Sequence, residues 1–177
     1  WAQPPLRALR KRLELRSLDL SEPYRSIYPF SQTSQLRQEN LARLARVVEE
    51  RGLSGAVVEC GVLDGGTAAL MASQTAASGR PVHLFDAWQG MPETGETDGQ
   101  EARKWVAEAV GSPRRARSAM KVLNVDLHRV HFHNGWFNET FPCADDVDSV
   151  ALLHVDCDFY EPTKLVIETW VPRVVPR

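Results

Sequence analysis

The sequence holds no apolar run of membrane-spanning length, and residues Trp1 to Leu20 contain no continuous apolar segment of the kind a secretory leader carries. A cytoplasmic chain with no membrane partner is therefore expected. Cysteine is scarce: Cys60, Cys143 and Cys157 are odd in number and lack Cys-x-x-Cys spacing, which argues against a disulfide framework or a zinc ribbon. Neither sign of charge is in excess. With 21 basic and 23 acidic residues the net charge is -2, so nothing recommends a nucleic acid as partner. No internal repeat is visible. The 43% apolar and 25% charged content over 177 residues suits one globular domain with a sizeable core. The first residue is Trp1 rather than Met, the mark of a trimmed or fragmentary chain.

What is present begins with an apolar run, Val57, Val58, Glu59 and Cys60, that enters the turn Gly61 to Gly66 and then an Ala-rich stretch. A helix-sized interval later a second apolar run, residues 82–85, ends at Asp86. This is the layout of a nucleotide-binding β-α-β unit. Gly61, Gly65 and Gly66 allow close backbone approach to a ligand, and a carboxylate at the second strand tip is placed to accept both hydroxyls of a ribose. A dinucleotide site needs Gly-x-Gly-x-x-Gly; here the bulky pair Val62 and Leu63 intervenes, and Glu59 would repel a diphosphate. A cofactor carrying an ammonium and a sulfonium tolerates that acid. S-adenosylmethionine fits best, with a nicotinamide oxidoreductase as the reading that Asp86 permits and the glycine spacing opposes.

Periodicity supplies the elements around this unit. Leu6, Leu9 and Leu13 among Arg7, Arg10, Lys11, Arg12 and Arg16 predict a short basic amphipathic helix that packs its leucines on the domain. Residues 1–27 form this extension and 28–177 the domain. Ser34 caps a helix that Gly52 stops; strands are expected at 56–60, 81–85, 129–133 and 150–155, and helices at 67–77, 101–110, 113–122 and 162–169. Such alternation implies a parallel sheet, whose ligands bind beyond the carboxyl ends of the strands. Glu59, Asp86, Gly135 and Asp156 then converge on one cleft, which the loop 88–99 is long enough to cover. Asp156 and Asp158 offer oxygens to a hard cation such as magnesium, and they equally suit turn formers bonding their own backbone. His128, His131 and His133 read as ordinary strand or surface histidines rather than a zinc site. Trp136 and Phe137 suit either the core or a stack on adenine.

Several segments together carry a resemblance: 28–31 (Tyr-Pro-Phe-Ser), 36–41, Val58 to Val62 with Gly65 and Gly66, 84–92 (Leu-Phe-Asp-Ala-Trp-Gln-Gly-Met-Pro), 135–142 and 153–163. In this order they are similar to the macrocin O-methyltransferase family. The resemblance implies an α/β, Rossmann-like class I methyltransferase sheet and magnesium-dependent methylation of a sugar hydroxyl. It further implies Glu59, Gly61 and Gly65 near the methionine part of the cofactor, Asp86 on the ribose, Gly135, Trp136 and Phe137 near the adenine, and Asp156 as a metal ligand. Family members continue past this point through Gly-Gly into a strand ending in Asp-Asp that completes the metal ligands. Here Arg177 is the last residue, so the resemblance predicts that this pair and the final three strands are missing.

The expected function is thus an S-adenosylmethionine-dependent, metal-assisted O-methyltransferase acting on a hydroxyl of a sugar or other small natural-product acceptor. The alternative is a non-catalytic cofactor-binding or interaction fragment. No general base is identified by sequence. Residues 150–155 are apolar on both faces, as an interior strand should be, and without a further strand their edge would favour a homo-oligomer.

Overall fold

The computed structural model describes residues 4–176; the expectations for the first three residues of the extension and for Arg177 lie outside the described residues. Four parallel strands form one sheet: β1 (Ala56–Cys60), β2 (Val82–Asp86), β3 (Val130–Asn134) and β4 (Val150–Val155), in the order β3-β2-β1-β4. Every residue of β1 is buried, because a central parallel strand has helices or loops over both faces. Register places Glu59 opposite Leu84 on one side and opposite His154 on the other. Among the described residues five helices of nine residues or more surround the sheet: α1 (Pro4–Glu14), α2 (Gln35–Glu50), α3 (Gly66–Gln74), α4 (Pro113–Val122) and α5 (Tyr160–Trp170).

Two cores result, one on each face. Val57, Leu84, Met71, Ala116 and Met120 pack together on one, and Val58, Cys60, Phe85, Phe141, Val166 and Trp170 on the other. The run from Gly66 to Ala72 in α3 is wholly buried, and its small side chains let α2 and α4 come close. Gly65 has φ +80, and a Cβ there would stand 2.7 Å from Ala116 Cα in α4. Its missing side chain serves helix packing.

Two expectations need correction. The leucines of α1 do not pack on the domain: Leu6, Leu9 and Leu13 are 60%, 56% and 53% exposed. The opposite face docks instead, with Arg7 donating to the Asp64 carboxylate at 2.9 Å and to the Val110 carbonyl at 3.0 Å. Lys11 bonds the Ser31 carbonyl and lies over the Tyr28 ring. A buried carboxylate without a cation costs more than exposed leucines lose, so the charged face wins. The helix expected at 101–110 ends by Trp105. Ala107 and Ala109 adopt left-handed φ of 57° and 56°, and Met91 and the 107–108 pair exchange backbone hydrogen bonds at 2.9 Å. As expected without a further strand, β4 lies at the sheet edge among the described residues, where Val150 is bridged by Val174.

The histidines behave as strand residues. His131 and His133 lie beside His83 and Phe85 across β2 and β3, with His83 Nδ1 3.0 Å from His133 Nε2. Burial, then the charges of His131 and His133, push the His83 pKa down to about 4 against the opposing pull of Asp146. His83 is therefore neutral in the folded chain, whereas the unfolded chain takes up its proton near 6.5. Folding stability attributable to His83 is present above pH 6.5 and is lost as pH falls towards 4. Urea unfolding of wild type and His83→Gln between pH 7 and 4.5 checks this: the wild type should lose stability more steeply. Parallel profiles would contradict it.

Candidate active site

Beyond the carboxyl ends of the strands lies a cavity of about 970 Å³. Gly61, Asp86, Gly135, Trp136, Phe137 and Asp156 all border it. Glu59 and Gly65 do not; they stand behind the wall. β1 and β4 leave the sheet in contact, since Asp156 donates its amide to the Cys60 carbonyl at 2.9 Å. Gly61, at φ +89, has its absent Cβ 2.2 Å from the Asp156 carbonyl oxygen, so any other residue would push the strand exits apart.

Asp86 ties three strand exits together. Its Oδ2 accepts from the amides of Val62 and Leu63, both at 2.8 Å, and its Oδ1 accepts from the Trp88 amide at 2.6 Å. Its carbonyl accepts from the Gly135 amide at 3.1 Å. Leu63 and Trp88 both hold left-handed φ, 54° and 53°, and Trp88 Nε1 donates to the Leu63 carbonyl at 2.8 Å. Burial raises the Asp86 pKa, and the three amides work against that rise. A carboxylate offers about four lone-pair positions. Three are occupied by the chain itself, which leaves room for one further donor rather than two.

Glu59 is fully buried beneath the start of α3. Its Oε1 lies 2.7 Å from His154 Nδ1, and Thr67 at the start of α3 is a further side-chain partner of the carboxylate. Burial pushes the Glu59 carboxyl up against the influence of His154. At His154 burial disfavours the charged form, yet Glu59 outweighs it and raises the imidazole above its usual value. The neighbouring Asp64 is likewise buried and held by two cations, Arg7 and Arg115.

At the β4 tip Asp156 and Asp158 are both exposed on the cavity. Burial and the charge of Asp156 raise the Asp158 pKa. Among the described residues no three His, Cys, Asp or Glu groups converge to hold a metal ion. The loop expected to cover the ligand contributes Gly90, Met91, Pro92 and Asp98 to the wall. Asp98 pins it, accepting from the Gly95 and Tyr160 amides at 2.7 Å each. Sequence reasoning missed Gln32, Thr33 and Arg37, which form the wall beside the glycine turn. No sequence signal marked them: the loop is fixed by Gln38, which is 3% exposed and donates to the Thr33 carbonyl, and burial is a tertiary property.

Because three amides depend on one carboxylate, Asp86→Ala should lower folding stability by about 2 to 4 kcal/mol with no ligand present. Urea unfolding of the ligand-free chain measures it. A change under about 0.5 kcal/mol, the size of an ordinary surface substitution, would remove Asp86 from this role.

Comparisons with known proteins agree with this architecture. Demethyldecarbamoylnovobiocin O-methyltransferase of Streptomyces niveus is 32% identical over 147 residues, which cover 78% of this chain and 55% of that protein. The 8-demethyl-8-(2,3-dimethoxy-alpha-L-rhamnosyl)-tetracenomycin-C 4'-O-methyltransferase of Streptomyces olivaceus is 31% identical over 157 residues, covering 79% and 56%. The chain thus spans about half the length of the curated relatives it matches. Among solved structures, the O-methyltransferase NovP superposes with a TM-score of 0.70 at 28% identity, covering 82% of this chain and 63% of that one. The calicheamicin methyltransferase CalS11 reaches 0.65 at 20% identity over 99% and 76%, a likeness of fold. The family model for macrocin O-methyltransferase (TylF) matches residues 13–177, and the chain belongs to that family.

Proposed function

We propose that the cavity binds S-adenosylmethionine and that the protein serves methyl transfer to a hydroxyl of a sugar or other small natural-product acceptor. The observation that carries this reading is the convergence of Gly61, Asp86, Gly135, Trp136, Phe137 and Asp156 on one cavity at the sheet's carboxyl edge. Family membership supports it, as do two relatives named for O-methylation of demethyldecarbamoylnovobiocin and of a rhamnosyl tetracenomycin. The wall chemistry fits the cofactor: carboxylates outnumber cations, which suits a ligand bearing a sulfonium and an ammonium.

In this reading Asp86 accepts one ribose hydroxyl at its free lone pair, Trp136 and Phe137 flank the adenine, and Gly61 borders the methionine part. Glu59 and Gly65 act from behind, holding the turn from which those contacts are made. When bound, S-adenosylmethionine would supply the methyl group that an acceptor oxygen takes. The pinned loop and the aromatic wall hold the acceptor in place and exclude water. Magnesium assistance through Asp156 belongs to the same proposal. The described residues give a cation too few ligands for a closed site, and no step is assigned to one.

Residues 28–177 are read as the cofactor-binding domain and 1–27 as a helical extension clamped by Arg7. A small-molecule acceptor and a cytoplasmic setting are part of the reading; no helix among the described residues is long and apolar enough to cross a membrane. The outer edge of β4 beyond Val150, unpaired among the described residues, supports self-association. A non-catalytic cofactor-binding or interaction fragment is the second reading.

Calorimetric titration with S-adenosylhomocysteine tests the proposal. One saturable site is expected, with no response to NADH. Saturable NADH binding without a response to S-adenosylhomocysteine would overturn it. Magnesium should bind the ligand-free chain only weakly, with a Kd of about 1 mM or above, because one or two carboxylates leave the ion largely hydrated. Micromolar binding would show that further oxygens converge on Asp156.

A further inference from the structure

Seven carboxylates line the cavity against two cations, Arg37 and Lys164. A ligand that brings its own carboxylate into such a cavity is repelled unless a cation meets it. The methionine part of the proposed cofactor brings one, so the two cations are the candidates. They differ in surroundings. Lys164 stands on α5 with Glu161 three residues before it and Glu168 four residues after, on the same helical face, and Asp158 lines the same wall. Lys164 makes no hydrogen bond or ion pair among the described residues, but a carboxylate approaching it would also approach these three acids.

Arg37, the third residue of α2, makes no hydrogen bond or ion pair among the described residues and has no acid at helical spacing along its helix. Its position also matches the end of the ligand in question. A Cβ on Gly66 would stand 2.7 Å from Ser31 Cβ and 2.9 Å from the Phe30 carbonyl oxygen, so the 30–31 backbone abuts the glycine turn. Gln32 and Thr33, which follow directly, and Arg37 line the same cavity as Gly61 and Leu63 after β1, whereas Trp136 and Phe137 follow β3, two strands away in the sheet. The local frame is held firmly: Ser31 and Gln38, both buried, bond the Thr33 amide and the Thr33 carbonyl. A guanidinium presented from such a frame matches a carboxylate with two parallel N–H donors.

We propose that Arg37 binds the α-carboxylate of the cofactor's amino-acid end, an assignment that rests on the cofactor reading above. Arg37 is then the residue that distinguishes the whole cofactor from its nucleoside half. Two ligands separate this from a general role in shaping the cavity: S-adenosylhomocysteine, which carries the carboxylate, and 5′-methylthioadenosine, which has the same adenine, ribose and thioether without it. Titration calorimetry on wild type, Arg37→Gln and Arg37→Lys reads the difference. The wild type should prefer S-adenosylhomocysteine. Arg37→Gln should bind it about tenfold to a hundredfold more weakly, Arg37→Lys should fall between, and 5′-methylthioadenosine should bind all three alike within about twofold. Unchanged affinity of Arg37→Gln for S-adenosylhomocysteine, or equal weakening of both ligands, would overturn the assignment. A wild type that binds neither ligand would instead overturn the cofactor reading and the assignment with it.

Discussion

The Asp86 carboxylate is the constraint on which the site depends. A parallel sheet ends in loops whose backbone groups have lost their ladder partners, and such loops need another source of hydrogen bonds. Here one side chain at the tip of β2 satisfies three amides, two in the turn after β1 and one in its own loop. The Asp86 carbonyl adds the exit of β3. With Asp156 bonded to Cys60, all four strand exits are joined before any ligand arrives. The left-handed conformations at Leu63 and Trp88 are the strain that this tie sustains.

Behind the tie, buried charge is arranged in compensated groups. Asp64 sits in the glycine turn with Arg7 and Arg115, and Glu59 sits under α3 with His154. Each acid is too buried to be solvated, so each draws a partner from a distant part of the chain. Arg7 comes from the N-terminal helix, which explains why that helix turns its basic face inward. The Glu59–His154 pair joins β1 to β4 just below the cavity floor. Among the charged residues of the cavity wall carboxylates outnumber cations, a balance that suits a cationic ligand, and Arg37 stands exposed among them.

Much of this was legible in the residues. Strands 56–60 and 150–155 and the helix 113–122 coincide with their expected ranges, because each is a short apolar run or an amphipathic period bounded by clear breakers. Six of the eight expected site residues border one cavity, since glycines and acids at strand ends mark the carboxyl edge whatever the tertiary details. Glu59 was misplaced by one layer: strand alternation tells which face a side chain takes, and not whether a helix covers it. The N-terminal leucines misled because periodicity shows an amphipathic helix without telling which face finds the better partner. A buried Asp64 was the missing fact, and burial is a tertiary property. The alanines of 101–110 favoured a helix by propensity, and the bridge to Met91 overrode it.

A crystal structure of the chain with S-adenosylhomocysteine tests the central claim most directly. The account predicts the adenosine between Asp86 and Trp136, one ribose hydroxyl donating to the Asp86 carboxylate, and the amides of Val62, Leu63 and Trp88 still bonded to it. A carboxylate that releases those amides to take both hydroxyls, or a ligand bound away from this cavity, would contradict it.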